Sequence, residues 1–298
     1  MRRLTLLTCL VATMTAACGE DEPGNLNVIL EAEDSIVNGI AAGSTTGEIS
    51  DGWSVTFDRY MVTIAEIDVH LVRDETQSVG DTDTHVVDLT QVPAFGTALW
   101  SAAGLQAGDW EFFYATSDYQ VDGVLSQAGG QSCPPATLAT PGGAVSNGNT
   151  NLAGDPCYDN PAVAFSFVSA EETDFGPCEV DGMPGFNVPS GGTVTVAATI
   201  HGDHLFFNGF PEGGEGGVVR LAQWLADCDL NLDGEVTMTE LAAISPSDLV
   251  EIDTRYQLGG SPIAPLDNMA TYVTAQLKTQ GHFQGEGECP ADGVGHSH

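Results

Sequence analysis

The chain has 298 residues, 42% of them hydrophobic, and sets 42 Asp and Glu against seven Lys and Arg for a formal net charge of −35 at pH 7. A chain this acidic has no basic surface for a phosphate backbone, which excludes nucleic acid as a partner, and anionic bilayers repel it. Its length suits one large domain or two smaller ones, and its acidic surface favours solubility in salty surroundings and concentrates cations.

Residues 1–18 read as an export segment, with Arg2 and Arg3 followed by the mostly apolar Leu4 to Met14. Thr15-Ala16-Ala17-Cys18 then resembles the lipobox of bacterial lipoproteins, with Thr15 where that family usually has Leu. The resemblance implies cleavage before Cys18 and lipid on that cysteine; Gly19 after it is similar to lipoproteins sent to the outer membrane. Residues 19–27 follow as a polar tether. No later run approaches the ~20 apolar residues of a membrane span, so lipid is the expected anchor. The exported part keeps five basic residues, Arg59, Arg73, Arg220, Arg255 and Lys278.

Residues 28–210 read as β-structure. Trp53 to Ile64 alternates, with Val55, Phe57 and Arg59 on one face, and further strands are expected at Ile67–Val72, Thr84–Leu89, Leu105–Ala115, Ala162–Val168 and Thr193–Ile200. Short strands between Gly, Pro and Asn turns predict an antiparallel sandwich. Val87-Asp88-Leu89 and Ala107-Gly108-Asp109-Trp110 resemble pieces of transthyretin-like lipoprotein modules and of the periplasmic copper-binding proteins associated with methanobactin uptake. These two motifs are too short to transfer a copper site residue by residue. Gly129 to Gly154 is a Gly-, Pro-, Asn- and Ser-rich excursion, expected to be pinned by Cys133 and Cys157.

His201-Gly202-Asp203-His204 follows the Thr193–Ile200 strand. Two imidazoles this close suit copper or zinc, with a third ligand to come from His70, His85 or His282. The spacing is not the i, i+4 of a zinc-protease helix. Residues 211–217 form a Gly-rich linker, and 218–298 read as a helical subdomain and tail.

Asp229 to Glu240 reads DLNLDGEVTMTE and satisfies D-x-[DN]-x-[DN]-G-x5-E. Helical spacing precedes it from Val218 to Ala226 and follows it from Glu240 to Ile244. The segment resembles an EF-hand. That resemblance implies Ca2+ held by Asp229, Asn231, Asp233, Thr237 and Glu240 side chains and the Glu235 carbonyl, with Gly234 permitting the turn. EF-hands usually pair, and no second loop occurs in the chain. Leu266 to Gln280 is a further amphipathic helix, ended by Gly281, that could cover the face a lone EF-hand leaves open.

Cys133, Cys157, Cys178, Cys228 and Cys289 remain after export, an odd number that leaves one thiol over. The expected bridges are Cys228 with Cys289 and Cys133 with Cys157. No G-x-S-x-G, P-loop or dinucleotide fingerprint occurs, so no enzyme is expected. The expected molecule is mainly β with a C-terminal α subdomain: an exported, lipid-anchored calcium-binding protein whose sandwich serves a protein or small-ligand partner. The alternative is a periplasmic or surface copper- or zinc-binding protein using His201 and His204.

Overall fold

In a computed structural model, residues 22–127, 162–210, 218–231, 233–247 and 255–291 are described, with the backbone of four two-residue strands between 127 and 162. The export segment with Cys18, the linker 211–217, Cys133 and the side chain of Cys157 lie outside these residues, and so does the Cys133–Cys157 pairing.

The N-terminal strands are β1 (Gly24–Ala32), β2 (Trp53–Leu71), β3 (Asp74–Asp81), β4 (His85–Asp88), β5 (Thr97–Leu105) and β6 (Gly108–Gln127). Two small hairpins follow, β7 (Ala139–Thr140) with β8 (Gly143–Ala144), and β9 (Asn149–Thr150) with β10 (Pro156–Cys157). Then come β11 (Ala162–Ser169), β12 (Thr173–Phe175), β13 (Glu179–Val180), β14 (Met183–Pro184), β15 (Phe186–Val188) and β16 (Thr193–Ile200). The C-terminal stretch adds β17 (Glu235–Thr237), β18 (Gly281–Phe283) and β19 (Gly287–Glu288). The helices among the described residues are α1 (Asp34–Asn38), α2 (Gln223–Asp227), α3 (Met238–Leu241) and α4 (Met269–Leu277).

Alternation decides the strands. In β1, Leu26, Val28 and Leu30 are buried between half-buried Asn25, Asn27 and Ile29. Because Leu26 belongs to the core, β1 begins inside the stretch expected as a tether. Seven strands form one sheet in the order β14-β13-β19-β18-β16-β1-β5, and the other runs β17-β11-β6-β2-β3 with β12 and β15 on β6 and β4 on β2. Aromatic rings fill the space between. Phe112 of β6 stacks on Phe283 of β18 at 5.0 Å between centroids, with Tyr114 5.7 Å from Phe112, and Trp53 and Tyr60 are fully buried elsewhere in the same core. Burying each such side chain stabilises the fold by roughly 1.5–3 kcal/mol.

Three expectations are corrected. The sheets are mixed rather than purely antiparallel: β1 pairs parallel with β16, and β11 with β17. More than 150 residues separate each β1 residue from its β16 partner, ample chain for the crossover a parallel pair requires. Next, the helix before the acidic loop begins at Gln223 and not near Val218. Upstream, the backbone is taken up by sheet-like bonds: Asn208 N–H donates to Val219 O at 2.9 Å and Leu221 N–H to Phe206 O at 2.7 Å. Finally, Cys289 bonds to Cys178 and not to Cys228. Pairing of Glu179 with Glu288 sets Cys178 and Cys289 side by side, Cα atoms 4.2 Å apart. Cys228 is instead a buried thiol beyond α2, pushed well above its ordinary pKa by burial and then by Asp227 and Glu240.

The expected C-terminal helix appears as α4, shorter at its start because Asn268 caps it: its side chain accepts from Thr271 N–H at 3.0 Å. Met269, Tyr272, Val273 and Leu277 are buried along it. No helix among the described residues is long and apolar enough to cross a membrane.

Candidate metal centres

A histidine cluster forms where three segments meet. β16 delivers His201, whose N–H donates to Gln280 O at 3.0 Å. A 3₁₀ turn, Gly202–Phe206, follows at once. In such a turn residues i and i+3 eclipse, so His204 comes round to the side of His201. Gly202 is needed there, since a Cβ would lie 2.4 Å from Ile36 of α1. β18 pairs with β16 and, with Thr199 opposite His282, sets the third imidazole alongside. His201 and His282 stack with centroids 3.9 Å apart, and His204 stands edge-on to His282 at 5.2 Å.

One ring nitrogen from each of His201, His204 and His282 lies within 4.8 Å of the other two. Ligands of a tetrahedral ion with 2.0–2.1 Å bonds sit about 3.3 Å apart, so closing the set takes no more than about 1.5 Å. The hydrogen-bond network assigns the tautomers. His201 Nε2–H donates to Gly285 O at 3.1 Å, which leaves Nδ1 with its lone pair. The Thr279 hydroxyl donates to Gln276 O at 2.8 Å and so accepts from His204 Nδ1–H at 3.0 Å, which leaves Nε2. His282 bonds to the Gly287 backbone, while its buried Nδ1 has no hydrogen-bond partner among the described residues. Outer bonds of this kind hold imidazoles ready for a metal.

The electrostatics keep a lone pair available. Burial, then His201 and His204, pushes His282 down from 6.5 to about 2, so its ring stays neutral. Glu33 Oε2 lies 3.9 Å from His201 Nδ1 and accepts a bond from Ser35 Oγ. Burial, and then the charge of Asp203, raises Glu33 from 4.5 to about 8. Burial also pushes Asp203 up, but His204 and Arg220 outweigh it and hold the carboxyl below its ordinary range. The shared proton therefore sits on Glu33. Arg220 donates Nε–H to Asp203 Oδ2 at 2.7 Å, adds a second bond through Nη2, and lies 5.0 Å over the Phe207 ring.

The acidic loop is built differently. Its side chains fold back on its own backbone. Asp229 Oδ1 and Oδ2 accept from Asp233 N–H at 3.1 Å and Gly234 N–H at 2.8 Å, Asn231 Oδ1 from Asp233 N–H, and Asp233 Oδ1 from Glu235 N–H. Gly234 has φ +87°, a conformation that glycine adopts at little cost. Glu240 spans both ends: Oε1 accepts from Leu230 N–H at 3.2 Å, Oε2 from Thr237 N–H and Oγ1–H at 2.9 Å. Thr237 and Glu240 form the capping box of α3. Val236 is fully buried and pairs with Phe165 of β11. The oxygens an EF-type loop needs are present in order, with Asp229 buried and the turn formed, so the residues fit calcium. The three carboxylates are not gathered within 4.8 Å of one another as the imidazoles are.

Of the three candidates for a third ligand, the fold selects His282. His70 and His85 are instead bonded to Asp68 and Asp81, each at 2.9 Å. Sequence reading missed Glu33 and Thr279. Glu33 is one of 42 acidic residues with no distinguishing local motif, whereas Thr279 lies inside the helix expected at Leu266–Gln280, two residues past the end of α4. No protein-family model matches the chain, and neither a curated protein nor a solved structure is significantly similar to it.

Proposed function

We propose that this chain is an exported, lipid-anchored metal-binding protein: a β-sandwich that holds one zinc or copper ion at His201, His204 and His282 and is stabilised by calcium at Asp229–Glu240. The observation that carries this reading is the convergence of three imidazole nitrogens within 4.8 Å. Imidazole suits zinc and copper. The ligand of the sandwich, on this reading, is the metal itself, and the role is binding rather than catalysis. Glu33, whose side chain is 26% exposed, is the carboxyl beside the set that faces solvent.

The test is metal analysis and calorimetry of the wild type beside the His201→Ala/His204→Ala double variant. The wild type is expected to take up one equivalent of zinc or copper at the cluster and the variant none. Equal uptake by both proteins sinks the proposal.

Calcium in the loop is the second element, supported by the order of oxygen-bearing side chains along Asp229–Glu240 and by Asp229 being wholly buried. A lone extracellular site with three acidic ligands belongs to the class with dissociation constants on the order of 10⁻⁴–10⁻³ M. Thermal melts in millimolar calcium, in magnesium and in metal-free buffer test it. A rise specific to calcium is expected.

A further inference from the structure

The calcium loop and the histidine cluster share their supports. Two routes run between them, one from each end of the loop, and each ends on a different wall of the cluster.

The first route leaves the start of the loop. Asp229 lies two residues beyond α2. The start of α2 is fixed by Asp51, whose Oδ2 accepts from Ala222 N–H at 2.8 Å and Gln223 N–H at 2.9 Å. Immediately upstream is Arg220, which grips Asp203 in the turn between His201 and His204. Leu221 N–H to Phe206 O, at 2.7 Å, ties the same two segments through their backbones. Displacing α2 therefore displaces the wall that carries His204.

The second route leaves the end of the loop. Glu240 sits in α3, and the turn after α3 presents Ile244 O to Met269 N–H, the first residue of α4, at 2.9 Å. Across the junction, Tyr272 donates its hydroxyl to Phe207 O at 2.6 Å. The far end of α4 runs into Thr279, which orients His204, then Gln280, which accepts from His201 N–H, then His282 itself. Displacing α3 therefore displaces the wall that carries His282.

Calcium acts on the relation between these two walls. A shell that includes both Asp229 and Glu240 ties α3, which carries Glu240, to α2, which ends two residues before Asp229, and so fixes the position of one relative to the other. From this shared framework we infer that calcium at Asp229–Glu240 and a transition metal at His201–His204–His282 bind with positive coupling, each raising the affinity for the other. The inference rests on both metal readings above. Coupling of this kind is reciprocal, and it commonly amounts to 5–150-fold. About tenfold is expected here, since the imidazoles already lie near their binding positions and calcium removes only the residual looseness.

The experiment uses the full-length chain and cobalt(II), whose visible absorption marks an imidazole site and ignores an oxygen-only loop. Cobalt is titrated in calcium-free buffer and in saturating calcium, with magnesium as the control. Calcium is then titrated by calorimetry with and without cobalt. The expected results are about tenfold tighter cobalt binding in calcium, no such change in magnesium, and the same factor in the reverse titration. Glu240→Gln is expected to need correspondingly more calcium before its cobalt affinity rises above the calcium-free value. Arg220→Lys is expected to keep both sites and reduce the factor, because a lysine cannot reproduce the two-pronged contact with Asp203. Unchanged cobalt affinity, with calcium binding visible in the calorimeter, overturns the coupling and leaves both sites standing. Absence of the cobalt spectrum in every buffer overturns the histidine reading, and absence of calcium heat the loop reading; either outcome takes the coupling with it.

Discussion

The two candidate metal sites teach opposite lessons about how a chain builds a binding shell. The acidic loop is contiguous: twelve consecutive residues carry every candidate calcium ligand, and local turns arrange them. The histidine cluster is assembled: His201 and His282 lie 81 positions apart and meet only because β18 pairs with β16. A contiguous site needs only its own turns. An assembled site needs the whole fold, and it inherits the fold's rigidity and its vulnerabilities.

The sharpest way to break this contrast is to loosen the fold without touching either set of ligands. The double variant Cys178→Ser/Cys289→Ser removes a bridge spanning 111 positions and is expected to destabilise the protein by about 2–5 kcal/mol in chemical denaturation. Cys289 lies just past the β18–β19 hairpin that carries His282, so transition-metal affinity falls with it. Calcium affinity measured below the unfolding transition should hardly move. Loss of both affinities together would falsify the contrast.

Direct attack on the assembled site comes next. His282→Ala is expected to weaken zinc binding by more than about 100-fold by competition titration, exceeding the 10–100-fold usual for outer-sphere changes. A retained wild-type affinity removes His282 from the shell. On the contiguous side, Glu240→Gln should weaken calcium about tenfold or more by calorimetry, because it deletes the only residue placed to close the ring with two charged oxygens. Thr279→Val tests the outer hydrogen bond to His204. A loss of about tenfold in zinc affinity is expected, and Thr279→Ser should restore it.

A separate test is the pH dependence of the metal-free protein. His282 is held at about 2 against an ordinary 6.5, so between these values the unfolded chain binds a proton that the native state refuses. Stability from this group falls as pH drops below 6.5. Glu33 works the other way. Raised from 4.5 to about 8, it keeps a proton when folded that it loses when unfolded, so its contribution is lost as pH climbs toward 8. The two slopes oppose each other between about 4.5 and 6.5, which gives a plateau there and a decline on either side. Glu33→Gln is expected to abolish the decline on the alkaline side. Melting curves from pH 4 to 9 that are unaltered by the substitution would contradict this.

The contrast also explains what could be read in advance. Strand positions were legible because alternation is local, as in β16, expected at Thr193–Ile200 and found there. Even that signal has a blind spot. In β2 the register shifts between Phe57 and Arg59, so Val55 and Tyr60 both face the core while Arg59 reaches out to Asp122 at 3.5 Å. A bulge inserts one residue and reverses the phase, and nothing in the residue types announces it. The acidic loop was legible as a motif because its ligands are consecutive. His201 and His204 were visible as neighbours, and the 3₁₀ turn that aligns them explains why their spacing fits no α-helical rule. His282 could only be offered as one of three candidates, because strand pairing over 80 residues of chain decides it. The cysteine pairing eluded the sequence for the same reason: the register of β13 on β19 chooses Cys178.

One feature of the acidic loop reaches beyond metal binding. Its strand β17 is the outermost member of the larger sheet, laid parallel on β11 through Ala164, Phe165 and Ser166. Without it, the backbone of β11 would offer its open donors and acceptors to any passing strand, the usual starting point for self-association. β17 is three residues long and carries the exposed Glu235, too short and too charged to recruit a neighbour in turn. The loop that carries the candidate calcium ligands therefore also covers the sheet's rim.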